Sequence, residues 1–157
     1  MKEKSHLYEV DIEWTGNRGS GTSSYTGYSR DHEVRSGNKS TIYASSDPSF
    51  RGDAARYNPE ELFVASLSQC HMLWFLHLCS ADGIIVKKYH DHAIGIMKES
   101  LDGGGHFTEV TLRPEVTIAS SHDVEQIDRI HSKANRLCFI ANSCNFNVNH
   151  KGKVIVE

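Results

Sequence analysis

The stretch Asn58-Pro59-Glu60-Glu61-Leu62-Phe63, which runs on through apolar sequence as far as Cys79, constrains this chain more than any other feature. Asn58 is a preferred N-cap, and Pro59 suits the first helical position. Glu60 and Glu61 fall in the first turn, where the helix dipole favours acids, and Asn58 with Glu61 has the spacing of a capping box. Gly83 supplies a stop. The spacing predicts one long helix from Pro59 to about Gly83, with Cys70 at its middle. Because it is apolar nearly all round, such a helix belongs in the buried centre of a domain. A thiol fixed there is either inert core or a placed reagent.

A chain of 157 residues is enough for one domain, 1–157, with a proper core. A net charge of -3 with scattered Lys and Arg excludes a general nucleic-acid binder. The central helix has the length of a membrane span. Its Ser66, Ser68, Gln69, His71 and His77, together with the two glutamates at its start, argue against one. Met1-Lys2-Glu3-Lys4-Ser5-His6 lacks the apolar core of a secretory leader. Four cysteines without such a leader point to a cytoplasmic protein with free thiols or a transient, functional disulfide.

Around the helix, the pattern predicts strands. Tyr8, Val10, Ile12 and Trp14 alternate with charged residues, as in a strand with one buried face. A turn over Thr15 to Gly21 leads to a second strand, Thr22 to Tyr28, and Thr41-Ile42-Tyr43 makes a short third. Strand-like sequence resumes at Ile84 and continues through Ala93 to Met97. After Gly103-Gly104-Gly105 it returns from Phe107 to Ala119, where Pro114 suggests an edge or a bulge. Ser121 then caps a second helix whose apolar stripe is Val124, Ile127, Ile130, Ala134 and Leu137, with Cys138 at its end. A last strand spans Lys153 to Val156. Segregated strands and helices imply an α+β fold with a largely antiparallel sheet around the central helix.

The residues alone leave the cysteines open. Packed core is the commonest place for a cysteine. Zinc would use four Cys and ten His, yet the gaps from Cys70 to Cys79 and from Cys138 to Cys144 are wider than structural zinc pairs. Cys70, His71 and Cys138 remain one conceivable metal set. His71 follows Cys70 and should point away from it, since helical neighbours differ by about 100°. His90 and His92, alternating along a strand, read as solvent-facing.

Three separated segments, in order, carry a resemblance. Asn58 to Ala65 with Cys70 resembles the NPEELxxA…C helix of the OsmC/Ohr family of osmotically inducible and organic-hydroperoxide-resistance thiol peroxidases. Lys133 to Asn142 resembles the stretch around that family's second cysteine, and Trp14 to Gly19 resembles its first turn. The resemblance implies an OsmC-like fold, an intertwined homodimer and a thiol-dependent peroxidase with no bound cofactor or metal. Cys70 would be the peroxidatic thiolate, forming a sulfenic acid that Cys138 resolves as a disulfide. Phe139 stands where the family has proline, which bears on the stiffness of that loop. Cys144 has no family role and reads as structural or as a second resolver, and Cys79 reads as core.

The family also places an arginine and a glutamate at the thiol. Glu60 matches the glutamate, although ten helical residues put it about 15 Å from Cys70 along one straight helix. Arg18 is the first candidate for the arginine, then Arg51, with Arg30 third. Its task would be to favour the thiolate and stabilise the leaving alkoxide. Trp74 and Phe75 read as core or as the lining of an apolar channel suited to alkyl or lipid hydroperoxides. The partners implied are an organic hydroperoxide and a dithiol reductant such as a lipoylated protein. A non-enzymatic ligand-binding or redox-sensing module on the same fold is the alternative.

Overall fold

The computed structural model describes residues 3–157, which divide into two compact units, the first ending at Leu62 and the second spanning Phe63–Glu157. In the first unit, β1 (Asp11–Trp14), β2 (His32–Arg35) and β3 (Ile42–Ala44) form an antiparallel sheet in that order. The second strand expected at Thr22–Tyr28 is instead a run of turns. Its serines and glycines favour local hydrogen bonds, such as Gly27 N–H on Ser24 O, over a ladder. A close approach fixes the start of this loop: a Cβ on Gly16 would lie 2.0 Å from the Ser29 carbonyl oxygen. The buried face expected for β1 is also absent. Val10 and Ile12 are 65% and 61% exposed.

The chain then pairs Ser45 N–H with Tyr57 O and enters α1 (Pro59–Ala81) through the expected capping box. Glu61 N–H donates to Asn58 Oδ1 at 2.8 Å, and Asn58 N–H donates to Glu61 Oε2 at 3.2 Å. Gly83, at φ +76°, ends the helix as predicted. The expected burial on all sides is met along one face: Leu67, His71, Phe75, Leu78 and Cys79 are buried, whereas Leu73 is 60% exposed.

The second unit holds two three-stranded sheets. β4 (Val86–Asp91), β7 (Pro114–Ile118) and β9 (Lys153–Val156) form one; β5 (Ile94–Glu99), β6 (Gly105–Leu112) and β8 (Asn147–His150) form the other. Pairs β4/β7 and β5/β6 are antiparallel, while β7/β9 and β6/β8 are parallel. The strand expected from Phe107 to Ala119 is two strands, broken at Arg113. Its N–H leaves the ladder and donates to Asp91 Oδ1 at 2.6 Å, and Asp91 Oδ2 accepts from Ser68 of α1 at 2.5 Å. Pro114 is therefore neither at an edge nor in a bulge. It opens β7, a central strand, at the one position where a missing N–H costs no ladder bond.

Helix α2 (Val124–Leu137) follows a 3-10 turn, Ser121–Asp123. Ser120 rather than Ser121 caps that turn, its hydroxyl accepting from His122 N–H. Two apolar clusters close the unit. One gathers Phe75, Leu78, Cys79, Ile84, Val116, Ile118, Ile127, Ile130 and Ala134 from both helices and the first sheet. The other packs Leu67 of α1 on Val110 and Leu112 of β6.

Candidate active site

The second unit brings Cys70 and Cys138 together. Cys70 lies half-buried midway along α1. Cys138 is the C-cap of α2, where the chain leaves the helix in extended conformation and the thiol is buried. The two thiols are neighbours, and Ala141 N–H points at Cys138 Sγ at 3.4 Å. Burial, followed by the neighbouring Cys70, pushes the Cys138 thiol up to about 11. Cys138 thus keeps its proton at neutral pH. Both thiols are free.

The loop after Cys138 is held in place without a proline. Asn142 N–H bonds back to Cys138 O at 3.0 Å, Asn142 Nδ2 to Arg136 O at 3.0 Å, and the Ser143 hydroxyl to Phe139 O at 2.9 Å. Phe139, 69% exposed, meets Trp74 edge-on at 5.6 Å. Trp74 lies one helical turn beyond Cys70 and Phe139 directly follows Cys138, so these two aromatic rings border the cysteine pair. Cys144 donates to Ile140 O at 3.3 Å, and burial raises its thiol. Cys79 sits in the apolar core, pushed up to about 12 chiefly by burial.

In the first unit, Glu60 is half-buried in the opening turn of α1. Arg18 is exposed in the turn where Asn17 Oδ1 accepts from Gly19 and Gly21 N–H. Arg51 is exposed too, at φ +64°, in the left-handed region a non-glycine residue rarely enters. Arg30 is committed elsewhere. It lies 4.5 and 4.1 Å from the rings of Tyr25 and Tyr28 and donates to both of their carbonyl oxygens.

The sequence reading passed over one grouping. His71 and His131 are fully buried, and His71 Nε2 lies 3.0 Å from His131 Nδ1. His131 stacks on Phe75 at 4.1 Å, and His150 of β8 lies 5.7 and 5.8 Å from the two rings. Burial drives His71 down to about 4 and His131 to about 3. Each histidine falls on an apolar stripe, His71 between Leu67 and Phe75 and His131 between Ile127 and Ala134. That placement is the signal that could have found them. Among the described residues no three Cys, His, Asp or Glu side chains gather as a metal set. The conceivable set of Cys70, His71 and Cys138 is not assembled, because the ring of His71 is engaged with His131.

A sequence pattern described as OsmC-like protein matches residues 52–152, most of the chain and both cysteines of the pair. The chain belongs to the OsmC-like family. Among solved structures, an OsmC-like protein of unknown function from Vibrio cholerae is 32% identical, with a TM-score of 0.85, covering 96% of this chain and 100% of its own. An organic hydroperoxide resistance protein from Elizabethkingia anophelis is 20% identical at a TM-score of 0.68, covering 98% and 100%. Another from Legionella pneumophila is 17% identical at 0.64, covering 96% and 98%. These likenesses show that the OsmC-like fold, expected from three short motifs, is the fold of this chain. Comparison with curated proteins gave no match.

Proposed function

We propose that this OsmC-like protein reduces organic hydroperoxides through a Cys70–Cys138 dithiol–disulfide cycle. The observation that carries the reading is the closeness of the two thiols, Cys70 half-buried and Cys138 sealed. Cys70, as thiolate, attacks the terminal oxygen of R–O–O–H. The O–O bond breaks, the alkoxide leaves and takes up a proton as the alcohol, and Cys70 becomes a sulfenic acid. Cys138 then attacks the Cys70 sulphur. Its proton leaves with the displaced hydroxide as water, and the S–S bond forms. Two thiols and one hydroperoxide thus become a disulfide, an alcohol and water, and an external dithiol, such as a lipoyl group, restores the thiols.

The high affinity of Cys138 for its proton supports the division of labour. It stays a thiol until Cys70 is oxidised. Trp74 and Phe139 offer the alkyl or aryl part of the substrate an apolar lip, which favours organic hydroperoxides over hydrogen peroxide. Arg18, then Arg51, is assigned the stabilisation of the leaving alkoxide, since the guanidinium of Arg30 is spent on Tyr25 and Tyr28. The exposed Val10 and Ile12 of β1 support a homodimer, in which a second copy covers them.

The test is steady-state consumption of cumene hydroperoxide with dihydrolipoamide as reductant. Turnover that exceeds that of hydrogen peroxide and disappears in Cys70→Ser is expected. No consumption above background, or equal consumption by Cys70→Ser, would reject the peroxidase and leave the ligand-binding or redox-sensing module.

A further inference from the structure

We propose that the buried His71–His131 pair is a positioning clamp that holds the helix of Cys138 against the helix of Cys70, and that acid releases it. The functional consequence rests on the peroxidase reading; the clamp itself does not.

The geometry comes first. His71 is the chain neighbour of Cys70 on α1. His131 lies seven residues before Cys138 on α2, two helical turns, so the two share one face of that helix. The 3.0 Å bond between the rings therefore fixes α2 against α1 on the face that presents the thiol. Phe75, one turn beyond His71, backs the ring of His131 at 4.1 Å, and Gly152, between β8 and β9, approaches its edge so closely that a Cβ there would lie 3.0 Å away. His131 is boxed in on several sides.

The proton count comes next. A neutral pair holds two protons on four ring nitrogens, one of them between the rings. His71 Nδ1 and His131 Nε2 have no partner, so one unpaired N–H and one unpaired lone pair are buried whichever tautomer forms. A third proton leaves the bond in place but puts a charge against Phe75. A fourth places two N–H groups face to face and breaks the bond. No neighbour offsets these charges. His150 on β8 is itself a base, Asp128 of α2 acts on His150, and Tyr89 of β4 meets Phe75 at 5.6 Å. Acid therefore favours any state in which α2 has moved off α1 and the rings meet water, and in that state Cys138 is no longer held on Cys70.

The test is the equilibrium of the Cys70–Cys138 disulfide with a dithiothreitol buffer, read by alkylation and intact mass from pH 7 to pH 4. Both couples exchange two thiols for one disulfide, so below the thiol range the ratio moves with pH only if the positioning of the thiols does. In the wild type the ratio should fall about tenfold across this range. His71→Leu should lower it about tenfold already at pH 7, while His71→Gln, whose amide can still reach His131, should stay within about threefold. A flat wild-type profile, or an unchanged ratio in His71→Leu, would overturn the clamp. The wild-type profile decides even if His71→Leu does not fold. No peroxide is used, so a protein that passes this test and yet fails to consume hydroperoxide loses the peroxidase reading and keeps the clamp.

Discussion

Helices α1 and α2 meet through two side-chain pairs that start from adjacent residues of α1, and the pairs are built to opposite ends. Cys70 and Cys138 are neighbours with one partner half-open, bordered by the exposed Phe139. His71 and His131 touch with both partners sealed and two ring nitrogens left without a bond. A buried polar atom without a partner costs on the order of 1–3 kcal/mol, so the histidine pair lowers stability wherever it does nothing else. The contrast shows how a redox couple is supported. The pair that must open and close keeps one partner half-open, and the pair that sets its distance is sealed in dry surroundings where a proton has large consequences.

The sharpest way to break this contrast is to remove the resolving thiol. Cys138→Ser should let Cys70 react once and then pass to sulfinic acid under excess hydroperoxide, lowering steady turnover at least about a hundredfold. Mass spectrometry after one and ten equivalents of peroxide reads this directly. Unchanged turnover would move the resolving role to Cys144.

Next in size is the response of the sealed pair to acid. Both folded histidines lie below the ordinary value of 6.5, His71 at about 4 and His131 at about 3. The unfolded chain therefore binds protons more readily than the folded one. Stability is full above pH 6.5 and is lost as pH falls towards 4 and below. At about 1.4 kcal/mol per unit, His71 alone accounts for roughly 3 kcal/mol. Urea unfolding midpoints at pH 7 and pH 4.5 should show the loss, and a His71→Gln, His131→Asn double variant should show much less of it.

A smaller effect is expected at the open pair's lip. Trp74→Ala should lower kcat/KM for cumene hydroperoxide about tenfold and leave that for hydrogen peroxide nearly unchanged, because only the organic substrate has a group to bury there. The smallest effect serves as the control. Asn58→Ala removes the α1 cap, remote in sequence from both pairs, and should cost about 1 kcal/mol in stability without changing the disulfide equilibrium.

The start and stop of α1 were legible because each rests on local chemistry: the reciprocal Asn58–Glu61 bonds at one end and a left-handed glycine at the other. Strand β9 was legible as well. Strand β8 was not, since Asn147-Val148-Asn149-His150 has little intrinsic strand preference and is ordered by its parallel pairing with β6. The strand expected from Thr22 to Tyr28 failed for the complementary reason, as local turn bonds prevailed over a ladder. In the site, the cysteine pair was reached through the family resemblance and its closeness is now visible. The histidine pair, 60 residues apart in sequence, was not legible, because only the fold brings its two apolar stripes face to face.

The most direct measurement is the intact mass of the reduced protein before and after one equivalent of cumene hydroperoxide, with peptide mapping of the product. The account predicts a loss of two hydrogens, mapped to a single Cys70–Cys138 linkage, and one equivalent of the alcohol. An unchanged mass, or oxygen added without a linkage between those two peptides, would contradict it.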